Sequence, residues 1–172
     1  MGSIIVRLAT KNDAKSLLKI PQYSKCEVIF PFKEEILVAE RDGKVLGAVS
    51  VGLKDITYIS GEWKKSYERY LNTEIDKVSG YWISKLYVFP EHRYQGVGTK
   101  LVGEAVKRLG ERNFTEAYAG IYIKNEFRNV SRHVFENNGF EKIGSCVCFL
   151  ASGHCRGTLL RKTIACGKQR EK

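Results

Sequence analysis

Leu86-Tyr87-Val88-Phe89-Pro90-Glu91-His92-Arg93-Tyr94-Gln95-Gly96-Val97-Gly98-Thr99 is the stretch of this chain whose reading decides the fold. It opens inside an aromatic and β-branched run at 81–89, which reads as a strand. Pro90 cannot donate to a ladder and stops it. Gly96 and Gly98 carry no Cβ, so the backbone there can approach a bulky anion. Residues 99–112 then repeat with helical period. Leu101, Val102, Ala105, Val106 and Leu109 form one face, and Lys100, Glu104, Lys107, Arg108 and Glu111 the other. A glycine-rich loop feeding a helix N-terminus presents unpaired N–H groups and the positive end of the helix dipole, which favours phosphate. Arg93 adds a charged donor and Thr99 a hydroxyl at the cap. Such a loop can hold a pyrophosphate without a metal. The spacing is neither the Gly-x-Gly-x-x-Gly dinucleotide fingerprint nor the Gly-x-x-x-x-Gly-Lys-Ser/Thr loop. Taken alone, it reads equally well as a plain left-handed turn.

Working outward, residues 4–8 alternate like a strand. Asn12 or Asp13 can cap a helix carrying Ala14, Leu17, Leu18 and Ile20 that ends before Pro21, and a loop holding Pro31 follows. Residues 36–40 and 44–53 read as strands joined by Asp42-Gly43, a strong two-residue hairpin signal. The segment 55–80 reads as a polar insertion, with a short helix at 62–71. Downstream, 116–123 is a strand. Residues 129–138 form a helix closed by Gly139, and 140–150 and 157–164 form a last hairpin. Asn113 is placed to end the helix at 99–112 in the left-handed conformation. The order β-α-β-β-insert-β-α-β-α-β-β predicts an α/β fold with a mixed sheet. One domain over 1–167 with a charged tail at 168–172 is the economical division.

The chain has 172 residues, enough for one hydrophobic core, and no run approaches the ~20 apolar residues of a membrane span. The N-terminus resembles a strand rather than a signal peptide, so a soluble cytoplasmic protein is expected, with no membrane partner. Lys plus Arg number 29 against 19 Asp plus Glu, giving a net charge of +10. That charge suits an anionic partner such as nucleic acid, anionic lipid or a phosphorylated cofactor, or else a solvated Lys-rich surface. No helix-turn-helix or RNA-recognition motif is present, so nucleic acid is not the expected partner. A homodimer is compatible with the sequence. The five cysteines are Cys26, Cys146, Cys148, Cys155 and Cys166. An odd count without a secretory signal argues against a disulfide framework. Cys146-x-Cys148 with His154-Cys155 offers soft ligands, but within an apolar run. Structural cysteines are the first reading, with a metal or a Cys148–Cys155 disulfide as the others.

The 86–98 stretch resembles the central signature of the GNAT superfamily of N-acetyltransferases: strand, Pro, Arg/Gln-x-x-Gly-x-Gly/Ala, helix. The second helix and Asn138-Gly139-Phe140 resemble that family's later Tyr-Glu-x-x-Gly-Phe segment, and Leu160-Arg161-Lys162 looks like its final strand. The element order matches over about residues 3–165, with the motifs strongest at 81–101 and 129–140. The resemblance implies a single-domain fold with a mixed, mostly antiparallel sheet. That sheet splays between two central parallel strands and is flanked by helices. It implies acetyl-CoA as cosubstrate, no metal, and direct transfer of the acetyl group to a primary amine. That amine could be a protein N-terminus, a lysine or a small molecule. The pantetheine arm would lie along Leu86, Tyr87 and Val88. The pyrophosphate would lie on the segment Arg93, Tyr94, Gln95, Gly96, Val97, Gly98, Thr99 and Lys100, and Asn129 would contact pantetheine.

One position departs from the family pattern. Phe135 stands where the family often has a tyrosine acid near the leaving sulfur, and it has no proton to give. The expectation is either that Phe135 borders the cofactor without acting as an acid or that it is plain core packing. The departure motivates a second reading, a coenzyme A-binding sensor or interaction module with weakened catalysis. A thiol pKa near ~8.5 makes the thiolate a tolerable leaving group without an acid. Glu62, Glu68, Glu74, His92 and Tyr122 are candidates for a base, and none is singled out as catalytic. Arg128 or Arg132 could reach phosphate. His133 and His154 read as surface histidines rather than metal ligands.

Overall fold

The structure, a computed structural model, describes residues 2–24, 34–59, 76–122, 127–150 and 153–165. The order is β1 (Ile5–Leu8), a 3₁₀ turn (Lys11–Asp13), α1 (Ala14–Leu17), α2 (Pro21–Ser24), β2 (Glu35–Arg41) and β3 (Lys44–Ile59). Then come β4 (Asp76–Val88), a 3₁₀ turn (Pro90–His92), α3 (Val97–Glu111), β5 (Glu116–Tyr122), α4 (Arg128–Glu136), β6 (Glu141–Leu150) and β7 (Gly153–Thr163). The strands form one sheet in the order β1-β2-β3-β4-β5-β7-β6, and the far end of β3 also meets β6. Neighbours are antiparallel except β4 and β5, which are parallel.

Local chemistry explains several boundaries. Asp42 and Gly43 have φ of 52° and 76°, the pair of left-handed residues that a tight β2–β3 hairpin needs. Residues Asn113 (φ 63°) and Gly139 (φ 76°) close α3 and α4 in the same conformation. Behind Gly139, the Phe140 N–H returns to the Phe135 carbonyl at 3.1 Å. The apolar stripe of α3 buries Leu101, Val102, Ala105 and Leu109 against the sheet. Each such side chain contributes ~1.5–3 kcal/mol on burial. A second cluster, Leu17, Ile20, Tyr23, Ile36, Val38, Val45 and Ala48, fills the opposite face beneath α1 and α2.

Four expectations are corrected. The first helix is a single turn, and Asp13, which does stand at its N-cap, makes no side-chain cap bond to it, while Thr10 stands at the cap of the 3₁₀ turn before it. Asp13 is already engaged: its carboxylate accepts from the Thr10 N–H at 2.7 Å and from two Arg7 nitrogens at 2.8 and 2.9 Å. The helix does end before Pro21, already at Leu17, but Pro21 then opens a further short helix, α2, where loop was expected, at a position where a missing N–H costs nothing. Third, residues 55–59 and 76–80 are strand, paired from Asp55↔Ser79 to Tyr58↔Asp76. Each half reads as polar because it lacks a strong apolar alternation, and the partner strand supplies the order. The proposed helix at 62–71, the loop at Pro31 and the tail at 168–172 lie outside the described residues. Fourth, α3 begins at Val97, with Gly96 at the cap (φ 76°), so Thr99 is inside the helix. Among the described residues no helix is long and apolar enough to cross a membrane, and no group of three or more metal-binding side chains gathers. The register sets Cys148 opposite Cys155.

The Arg7 guanidinium, first by hydrogen bonding, holds the Asp13 carboxyl below its ordinary range. A depressed folded pKa means that Asp13 contributes stability above its unfolded value of ~3.9, lost as pH falls through the folded value. Asp13→Asn is therefore expected to cost about 1–2 kcal/mol at neutral pH and to flatten the acid limb of stability below pH ~4. Urea denaturation from pH 3 to 7 measures both.

Candidate active site

The sheet opens at its centre. β4 and β5 pair at Trp82↔Tyr118, and among the described residues no further pair joins them toward Val88. A bulge lies at the same level. Ser84 faces Ser50 and Tyr87 faces Ala48, so β4 carries one residue too many across from β3. Lys85 takes up the excess with a φ of 53°. Bulges bend a strand and sharpen its twist, which turns the end of β4 away from β5.

A cavity of about 760 Å³ occupies the gap between the end of β4, the first turn of α3 and the side of α4. Its walls include Leu86, Tyr87 and Val88 from β4, then His92, Arg93, Tyr94, Gly96, Val97, Gly98 and Thr99 from the loop and helix. The first helical hydrogen bond of α3 runs from the Lys100 N–H to the Gly96 carbonyl at 3.0 Å. The N–H groups of Val97, Gly98 and Thr99 precede it and face out of the helix end. Nothing lies within 4 Å of where a Gly96 Cβ would stand, whereas a Gly98 Cβ would meet Val134 and Val88 at 3.5–3.7 Å. The loop therefore presents bare backbone to the cavity at a positive helix end, an arrangement that suits a pyrophosphate.

Most residues anticipated from the sequence come together here: Leu86, Tyr87, Val88, Arg93, Tyr94, Gly96, Val97, Gly98 and Thr99 all line the cavity. Gln95, Lys100 and Asn129 are exposed and stand outside this lining. Gln95 instead donates to the Glu91 carbonyl at 3.1 Å, bracing the loop. Phe135 is 3% exposed and packs edge-on against Phe140 at 5.1 Å, inside the α3 core rather than in the cavity wall. Arg93 has a particular position. Its Nε donates to the Val88 carbonyl at 3.1 Å, and its guanidinium lies 4.2 Å from the Phe127 ring and 5.8 Å from that of Tyr87. Arg93 thus ties β4 to the start of α4 across the mouth. The Glu91 carboxyl beside it is held below its usual range, chiefly by a hydrogen bond from its own N–H.

Sequence reading did not anticipate Pro21, Phe127, Val130, Ser131, His133, Val134 and Asn137 in the lining. The stripe 127/130/134/137 has helical spacing, so the signal was a period without an assignment of which face met what. Asn138 fixes that face. Its Nδ2 donates to the Thr99 carbonyl at 3.3 Å and the Val134 carbonyl at 2.9 Å, locking α4 to the first turn of α3.

A mixed sheet parted between two parallel strands, with a bare-backbone helix end at the gap, defines an α/β protein with an anion-ready cleft. The family model described as acetyltransferase (GNAT) domain matches residues 32–142, and the chain belongs to that family. It is therefore an acyltransferase with acetyl-CoA as cosubstrate. Solved structures share the fold. The ribosomal-protein-S18-alanine N-acetyltransferase from Escherichia coli aligns at 10% identity over 99% of both chains, with a TM-score of 0.64. An N-acetyltransferase from Staphylococcus aureus Mu50 aligns at 17% identity over 95% of this chain and 99% of that one, with a TM-score of 0.62. The yncA protein of Salmonella typhimurium, solved with its cofactor acetyl-CoA, aligns at 18% identity over 98% of both chains, with a TM-score of 0.62. At these identities the likeness establishes the fold. No curated protein matches the chain by sequence.

Proposed function

We propose that this chain is a single-domain N-acetyltransferase that moves the acetyl group of acetyl-CoA directly to a primary amine. The observation that carries this reading is the continuity of one cavity from the α3 N-terminus to the parted edges of β4 and β5. A long, thin thioester with an anionic head fits that shape: anion at the helix end, arm along Leu86–Val88. The Leu86 and Tyr87 backbone would pair with the arm, and the N–H groups of Val97, Gly98 and Thr99 would hold the pyrophosphate. Acetyl-CoA supplies the electrophilic carbonyl and a stabilised thiolate leaving group. The chain's part is to desolvate, orient and move protons. The acceptor must arrive neutral, so an ammonium proton leaves first. Its nitrogen then forms the C–N bond, the C–S bond breaks, and the sulfur takes up a proton. The net products are an N-acetylamide, coenzyme A thiol and one released proton.

Isothermal titration with acetyl-CoA tests the first half, with a micromolar Kd and a rise in melting temperature expected. Thiol release with an amine panel tests the second. No heat and no thermal shift would sink the reading. Binding without thiol release for any amine would leave the sensor alternative; Phe135, buried away from the cavity, does not bear on that choice.

A further inference from the structure

If the thioester lies where β4 and β5 part, its neighbour on the other face of the sheet is Lys85. Ile83 and Leu86 both pack toward the core beneath α3, although they stand three positions apart, with two residues between them. The bulge between them turns Lys85 toward α2 instead. There its Nζ lies 3.1 Å from Glu34 Oε2 and 5.5 Å from the Tyr23 ring. Tyr23 is itself fixed by a buried 2.7 Å hydrogen bond to Ser50. Pro21, in the same turn as Tyr23, lines the cavity, as does Leu86, adjacent to Lys85. Neither Lys85 nor Glu34 lines the cavity, but Tyr87 and Pro21 do, and both stand on the face of the sheet that Lys85 shares with Tyr23. The Lys85 and Glu34 side chains remain 29% and 25% exposed.

A lysine at φ 53° is strained, and strain of this kind persists at sites where a side chain must be aimed. The bulge sets Lys85 at that φ, and a partly exposed ion pair adds little stability of its own. Resting on the acetyl-transfer reading above, we propose that Lys85 and Glu34 form the acceptor site. The acceptor is a small amine carrying a carboxylate beside its amino group, an α-amino acid rather than a polypeptide. Two fixed opposite charges match the two charges of such a zwitterion: Glu34 receives the ammonium and Lys85 the carboxylate. A protein N-terminus or a lysine side chain brings the first charge without the second. The net charge of +10 points the same way, away from polycationic protein tails.

The test is thiol release by the full-length protein with acetyl-CoA and a panel of L-α-amino acids, each set against its α-carboxamide. At least one free acid is expected to turn over with kcat/KM about tenfold or more above its carboxamide. Lys85→Met should remove that preference by raising KM for the free acid, while KM for acetyl-CoA stays within about twofold. Lys85→Arg should restore part of it, since a charge on an ordered side chain is what discriminates. Equal use of acids and carboxamides overturns the proposal, as does an equal rise in both KM values in Lys85→Met. Turnover confined to peptides also overturns it, yet leaves acetyl transfer standing. Absence of acetyl-CoA binding removes both. Should Lys85→Met fail to fold, the acid-to-carboxamide ratio of the unmodified protein decides alone.

Discussion

Gly98→Leu is expected to abolish acetyl-CoA binding while the protein stays folded. Gly98 sits one residue into α3, between Val88 of β4 and Val134 of α4, and lines the cavity. A Cβ there would lie 3.5 and 3.6 Å from the Val134 methyls and 3.7 Å from a Val88 methyl, ordinary contact distances. Gly98→Ala is therefore accommodated, and it gains up to ~1 kcal/mol in helix propensity. A leucine extends past that contact shell into space the arm and pyrophosphate need. It also shields the N–H groups of the first turn. The Kd for acetyl-CoA should weaken at least a hundredfold, or about 2.7 kcal/mol, in Gly98→Leu, and no more than a few-fold in Gly98→Ala. Titration calorimetry reads the Kd, and a thermal melt without ligand confirms the fold. An unchanged Kd in Gly98→Leu would place the cofactor elsewhere.

Phe135→Ala should remove about 3–5 kcal/mol of stability, the cost of losing a buried ring and leaving a void. That is a large share of the 5–15 kcal/mol typical of a domain, so partial unfolding near physiological temperature is expected. The ring is buried at 3% exposure among the residues that hold α4 to α3, and its edge contact with Phe140 closes the Gly139 turn. Chemical denaturation at fixed pH gives the loss, with an unchanged slope if the transition stays two-state. Phe135→Tyr is the informative companion. Its hydroxyl enters an apolar site and should cost about 1–3 kcal/mol without raising the rate of thiol release. A faster rate with undiminished stability would mean that the ring edge reaches the leaving sulfur after all.

Residues whose conformation depends on near neighbours could be read in advance. Asp42-Gly43 dictated a tight hairpin because only a pair tolerant of positive φ fits it. Gly139 ended α4 for the same reason, and the apolar stripe of α3 identified its buried face. The phosphate-ready loop at 93–99 was equally local, since bare backbone and a helix start suffice to describe it. Other features depended on partners distant in the chain. Residues 55–59 and 76–80 become strands because they pair with each other. Asp13 stands at the cap of α1 with its carboxylate turned to Arg7 instead, and α3 started two residues early because Gly96 could take the cap. The 127/130/134/137 stripe joined the cavity only once Asn138 had fixed the rotation of α4, and that rotation also turned Phe135 into the core. By itself the sequence determined which segments could bend, stop or present a bare N–H, because those are properties of single residues and their immediate neighbours. Which side chains face one another across the cavity, Lys85 and Glu34 among them, was decided by tertiary packing, because strand register and helix rotation are set by contacts that no short window contains.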